Sequence, residues 1–113
     1  MNQPKATASI DIVVTNNAAA SRFQATVDGH TAVAIYRLEE GSIRFTHTQV
    51  PEELRGRGIA NALVVHALAD VRARGLQVTP QCPVFAAYMR GHADSQDLLT
   101  AEGRSMLGLP VAS

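Results

Sequence analysis

Apolar and polar residues change period once along this chain, and the change divides it in two. In the first half the alternation is two-residue. Ile10, Ile12 and Val14 interleave with Asp11 and Val13 and run to the turn formers Asn16-Asn17, which predicts a first strand. Phe23, Ala25 and Val27 share one face of residues 22–27, with Arg22, Gln24 and Thr26 on the other. Asp28-Gly29 then closes a tight hairpin, because both residues tolerate the left-handed backbone of a two-residue turn. Residues 31–38 give a third strand with Val33, Ile35 and Arg37 on one parity. Glu40-Gly41 turns the chain again, and residues 42–50 form a fourth strand. Four strands in succession with tight turns predict an antiparallel meander.

From Ile59 onward the period is helical. Ile59, Ala60, Leu63, Val64, Ala67, Leu68 and Val71 fall on one stripe, Asn61, Asp70, Arg72 and Arg74 lie elsewhere, and Gly75 supplies the stop. Residues 76–81 return to strand character with Leu76 and Val78 inward, and Pro83 suits the first position of a second helix ending near Gly91. Beyond His92 no period is evident. Leu98 and Leu99 are candidates to dock, and residues 106–111 to pack on the body or on a second copy. The fold class is α+β (mixed α/β): a four-strand meander, a helix, a fifth strand and a helix. Residues 1–8 read as a flexible N-terminus, 9–99 as one domain and 100–113 as an unassigned tail.

Composition narrows the function classes. At 113 residues the chain can bury a single real core. Ten basic and ten acidic residues cancel, so no sequence-wide attraction to nucleic acid or an anionic membrane is expected. No apolar run approaches the roughly 18 residues of a membrane span, and the polar start does not resemble a signal peptide. The one cysteine excludes an internal disulfide and fits a reducing compartment, so a cytoplasmic location is the default. His30, His66 and His92 show no metal-ligand spacing, and no metal is expected. A monomer or weak homodimer is expected, the apolar tail being the surface for pairing.

The stretch with the most chemistry is Arg55-Gly56-Arg57-Gly58, which follows a strand broken at Pro51 and enters the first helix. A glycine-rich loop at a helix start leaves backbone N–H groups unpaired, and the positive end of the helix dipole favours an anion there. Two arginines add charge of the matching sign. On pattern alone, a phosphate site and an ordinary turn with solvated arginines stand about level. No Gly-Lys-Ser/Thr follows, so this is not a Walker-type loop, and the order of elements is not that of a dinucleotide-binding Rossmann unit.

Arg55-Gly56-Arg57-Gly58-Ile59-Ala60 resembles the Arg/Gln-x-x-Gly-x-Gly/Ala signature of the GNAT superfamily of N-acetyltransferases. Together with His47-Thr48-Gln49-Val50-Pro51 and the run from Cys82-Pro83-Val84 to Tyr88-Met89, it is similar to the small YjdJ-like branch. That branch is a minimal domain without the usual helices between the first two strands. The resemblance covers about residues 9–99. Gln49 stands where members often have Glu, and Ala93-Asp94-Ser95 where they usually continue Pro-Glu-Tyr.

The resemblance implies acetyl-CoA as cofactor, with its pyrophosphate on the loop and its pantetheine arm between two splayed strands. Val50, Arg55, Gly56, Arg57, Gly58, Ile59, Ala60 and Asn61 are the implied cofactor-binding residues. Transfer would be to a primary amine of a small molecule or a protein. A non-catalytic acyl-CoA-binding or protein-interaction module on the same fold is the alternative, and a generic nucleotide-phosphate binder a weaker one.

Three residues are candidates for the chemistry. Cys82 falls at the end of a strand just before Pro83, as the N-cap of the second helix, where N–H groups stabilise a thiolate; a small buried hydrophobe is the competing role. The resemblance makes it the catalytic cysteine, either as acetyl acceptor or as proton donor and acceptor in direct attack. His47 shares parity with Ile43 and Phe45 and is either a core-edge histidine or the general base. Tyr88, six residues after Cys82, is either a core tyrosine or, by the resemblance, the group that protonates the departing CoA thiolate.

Overall fold

The computed structural model describes residues 12–111. Ile10 and the N-terminal stretch read as flexible lie outside these residues. Among the described residues, five strands form one sheet in the order β1 (Val14–Asn17), β2 (Arg22–Val27), β3 (His30–Glu39), β4 (Ser42–Gln49) and β5 (Gln77–Pro80). The first four are antiparallel and β5 runs parallel to β4, as the crossover through helix α1 (Ile59–Ala73) requires. Helix α2 (Pro83–Gly91) follows β5, and after a 3-10 turn (Ala93–Leu98) comes a short helix α3 (Ala101–Met106). The chain is thus a mixed α+β domain. No helix among the described residues is long and apolar enough to cross a membrane.

The β2–β3 turn forms as its sequence demands. Val27 pairs with His30 across Asp28 (φ 51°) and Gly29 (φ 80°), the two left-handed residues of a type I′ turn. Between β1 and β2 lies only a 3-10 turn (Ala18–Ala20), so no α-helix separates the first two strands.

One face of the sheet carries the core. Phe23, Ala25, Ala34, Tyr36, Ile43 and Phe45 are buried there, and Ile59, Leu63, Val64, Ala67, Leu68 and Val71 of α1 are buried with them, the stripe expected from the helical period. Phe85 of α2 stacks on Phe45 with ring centroids 4.0 Å apart and planes 8° from parallel. Both helices therefore cover the same face. Thr26, Thr31, Arg37, His47 and Gln49 are exposed on the other. Val33 and Ile35 share that second face, so the inward residues of β3 are Ala32, Ala34 and Tyr36.

The segment after α2 is the least legible in sequence. Leu99 bridges to Val78 in parallel, the Thr100 N–H donates to the Val78 carbonyl at 3.0 Å, and the Thr79 and Thr100 hydroxyls lie 2.7 Å apart. Thr100 then caps α3, accepting from the Gly103 N–H at 3.0 Å. Arg44 ties α3 to the sheet through Glu102 and to β3 through Glu39; these bonds raise the Arg44 pKa, and the one to Arg44 lowers that of Glu102. Leu98, Leu99 and Leu107 are buried, whereas Met106 and Val111 stay exposed.

Gly103 is what lets α3 sit this close. A Cβ there would come within 3.0 Å of the Pro80 ring and 3.1 Å of both the Leu99 side chain and the Val78 carbonyl oxygen, which is backbone and cannot swing aside. Gly103→Ala is expected to lower stability by about 1–2 kcal/mol, overpacking outweighing the gain in helix propensity. Urea denaturation checks this, and an unchanged or raised midpoint would show that the contact yields without cost.

Candidate active site

The geometry begins with a break in the ladder. Residues 42–45 of β4 pair with Gln77, Val78, Thr79 and Pro80, and pairing stops where Pro80 offers no N–H. The final link is the Cys82 N–H donating to the Phe45 carbonyl at 2.8 Å. Beyond it β4 continues to Gln49 beside β3 alone, while the chain turns at Cys82 into α2. The β4–β5 ladder therefore ends there, with residues 46–49 on one side of the break and the start of α2 on the other.

A β-bulge decides which side chains of β4 point inward beyond the break. Ile35 pairs with His47 but Tyr36 pairs with Phe45, so Thr46 is the extra residue, and its hydroxyl donates to the Ile35 carbonyl at 3.3 Å. One extra residue inverts the parity of everything after it. The expectation that His47 shares a face with Ile43 and Phe45 is therefore wrong. His47 joins Ile35 on the open face and is exposed, and Gln49 does likewise.

Thr48 takes the inward direction instead, with its hydroxyl 3.1 Å from the Cys82 sulfur. Cys82 is 1% exposed and is the N-cap of α2, with Pro83 at the first helical position, as its sequence context suggests. The structure thus brings Cys82 together with Thr48, a residue sequence reasoning passes over. Only the bulge reveals it, and a bulge at Thr46 has no glycine or proline to announce it.

Tyr88 is placed elsewhere. It is half-buried, stacks on His92 at 3.7 Å, and lines a cavity of about 130 Å³ with Val65, Leu68, Arg72, Ser95 and Leu98. Six positions along a helix correspond to about 240° of rotation. Tyr88 and Cys82 therefore point to different sides of α2.

The second half of the site is the loop before α1. After β4 the chain passes Pro51 and a 3-10 turn (Glu52–Leu54) whose Leu54 is buried as an anchor. Gly56 (φ 81°) and Gly58 (φ 77°) are both left-handed, a conformation that costs glycine nothing and any other residue about 1 kcal/mol or more. Gly58 is the N-cap of α1 and has no side chain to satisfy the helix start. The first helical bond there runs from the Ala62 N–H to the Gly58 carbonyl. The N–H groups of residues 56–61 consequently find no acceptor among the described residues.

Those unpaired donors edge a cavity of about 160 Å³ lined by Val50, Leu54, Arg55, Gly56, Gly58, Ile59, Ala60 and Asn61. All the residues singled out for the cofactor lie on it except Arg57, and Leu54 is an addition. Arg57 turns away to the β2–β3 turn, where its guanidinium donates to Asp28 at 2.7 Å. Val50 lies two residues beyond Thr48, so the cavity and the Thr48–Cys82 pair lie along one strand end.

A family model described as GCN5-related N-acetyl-transferase matches residues 22–98. The chain belongs to the GCN5-related N-acetyltransferase family. The match runs from the start of β2 to the end of the turn after α2, so it takes in both the loop and the strand split. A comparison with the curated proteins found no match. Family membership implies an acyltransferase domain of a kind that typically uses acetyl-CoA, with the acceptor left unspecified.

The residues present suit a cofactor of that kind. A run of unpaired N–H groups at an uncapped helix start is a cradle for phosphate oxygens, and the dipole of a 15-residue helix adds to it. A strand pair opened by proline offers backbone edges to an extended amide-containing arm.

Proposed function

We propose that this chain is an acetyl-CoA-dependent N-acetyltransferase that moves an acetyl group to a primary amine of a small molecule or a protein. The observation that carries the reading is the alignment of two features along one strand end: the donor-rich, uncapped start of α1, and the split beyond Phe45 that holds the Thr48–Cys82 pair. The three motifs and the link between β1 and β2, free of any α-helix, support placing it in the small YjdJ-like branch.

When bound, the cofactor supplies an activated acetyl thioester. The protein's part is to hold and to move protons. The N–H groups of residues 56–61 and Arg55 would grip the pyrophosphate, and Val50 and Ile59 would shape the channel beside it. Cys82, whose sulfur lies 3.1 Å from the Thr48 hydroxyl, would either take the acetyl group itself, its thiol proton leaving with CoA, or give its proton to the departing CoA thiolate during direct attack by the amine. His47, exposed on the open face of β4, would take a proton from an amine arriving from that side. Tyr88, on the α1 side of α2, supports that helix and is not used as the acid in this scheme.

Calorimetric titration with acetyl-CoA, with ATP as the control, tests the cofactor assignment. Acetyl-CoA is expected to bind and ATP to bind much more weakly. Arg55→Ala should weaken acetyl-CoA about tenfold, the scale of one charge-assisted hydrogen bond. Equal binding of both ligands would favour a generic phosphate site. Acetyl-CoA binding without turnover across a broad amine panel would favour a non-catalytic module.

A further inference from the structure

Arg57 is the basic residue of the loop that turns away from the cavity. It is held by Asp28 at 2.7 Å, and Asp28 belongs to the tip of the β2–β3 hairpin, remote in sequence. A second contact joins the same two segments: His30, at the base of that turn, lies 3.8 Å from Glu53 of the 3-10 turn preceding the loop. The hairpin tip is therefore docked on the phosphate loop through side chains at two points. Both partners of the Arg57–Asp28 pair are well exposed, at 44% and 68%. Exposed pairs of this kind contribute little net stability, so opening one is easy.

We infer that Asp28 is an affinity-setting residue for the cofactor: its carboxylate occupies Arg57 as an internal stand-in for phosphate, and ligand binding must take the guanidinium away from it. This rests on the assignment of the 55–58 loop as the cofactor's phosphate site. The chemistry on each side matches. A guanidinium offers the same fork of donors to a carboxylate oxygen and to a phosphate oxygen. Arg57 is flanked by Gly56 and Gly58, whose N–H groups find no acceptor among the described residues, so a phosphate seated on them would lie beside the residue that carries the guanidinium. The same placement explains why Arg57 does not line the cavity while its neighbours do.

The stand-in has a consequence for the free protein. Without Asp28, the guanidinium would be unpaired beside Arg55, in a field already made positive by the helix start. With it, the loop keeps a defined Arg57 position at the cost of some affinity. The hairpin turn is the right support for such a group, since the type I′ geometry fixes the Asp28 backbone and leaves its side chain projecting.

The test is a double-mutant cycle read by calorimetry with acetyl-CoA as the ligand, on the full chain. Asp28→Asn keeps the shape and the turn preference and is expected to tighten binding about two- to fivefold. Arg57→Ala is expected to weaken it. Asp28→Asn placed on Arg57→Ala should change the dissociation constant by less than about 1.5-fold, because the two residues act as one unit. Glu53→Gln removes an equal charge from the same surface and separates the specific effect from a general one. It should gain less than Asp28→Asn.

A gain from Asp28→Asn that survives in the Arg57→Ala background, or one equalled by Glu53→Gln, would overturn the inference in favour of bulk charge. Wild-type binding with no gain, or a loss, in Asp28→Asn would overturn it alone. Absence of acetyl-CoA binding in every chain would overturn the cofactor assignment and this inference together.

Discussion

Cys82→Ala is expected to lower acetyl transfer at least about 100-fold while acetyl-CoA affinity stays within about twofold, the split that a group acting on protons or on the acetyl carbon produces. The residue is poorly placed to matter for binding alone. It is 1% exposed, fixed by its own N–H to the Phe45 carbonyl, and its sulfur meets the Thr48 hydroxyl. Losing that sulfur costs about 1 kcal/mol of packing, which a domain of this size survives. The backbone link at Phe45 is untouched, so the split in the sheet keeps its shape.

Steady-state turnover and calorimetry on the same preparation separate the two effects. Full activity in the alanine variant would remove Cys82 from the mechanism and return it to the role of a small buried hydrophobe. Intact mass after incubation with acetyl-CoA and no amine distinguishes the two routes: an acetylated protein that Cys82→Ala abolishes means transfer in two steps, and an unmodified, active enzyme means direct attack by the amine.

Phe85→Ala should be among the most damaging single changes to the fold. The ring is fully buried and lies flat on Phe45 at 4.0 Å, at the point where β4 and the start of α2 part. Truncating such a ring costs about 3–5 kcal/mol, with transfer, cavity and lost-stacking terms taken together. Against a total stability of roughly 5–15 kcal/mol, that is a large share. Thermal unfolding should move down by more than about 10 °C, and urea denaturation should report the same loss. Phe85→Leu should recover most of it by refilling the volume. A loss under about 1 kcal/mol would mean that α2 is held mainly through Met89 and the turn after it, and that the stack at the split is incidental.

Cys82 and Phe85 share one structural cause. They begin the same helix, and Phe45 receives both: its carbonyl takes the Cys82 N–H, and its ring takes Phe85. Packing at the split and placement of the thiol are thus the same event. A change that loosens the stack is expected to reach the chemistry as well as the stability.

Much of this fold is written in local signals. Alternation places β2 to β4, because a half-buried strand must put every second residue toward the core. The Ile59-to-Val71 stripe places α1, and Gly75 its end. Asp28-Gly29 specifies its turn, since few residue pairs accept two left-handed conformations. Cys82-Pro83 marks the start of α2, because proline is at ease where no N–H is needed. The 55–58 loop announces a helix start rich in donors for the same backbone reason.

What the tertiary structure decided were matters of register and of distance. The bulge at Thr46 sends His47 outward and Thr48 inward, and it arises from pairing with β3, not from anything in the local run of residues. Arg57 finds Asp28 only because two segments separated by 29 positions fold together. Tyr88 points away from Cys82 because helix rotation, not sequence spacing, sets its direction. Helix α3 is held by the bridge of Leu99, just before it, to Val78 and by the close fit of Gly103, a residue that argues against a helix when judged alone. Backbone preference is carried by each residue and its neighbours, so the sequence reveals it; which side chain meets which across the sheet depends on contacts that exist only once the chain has folded.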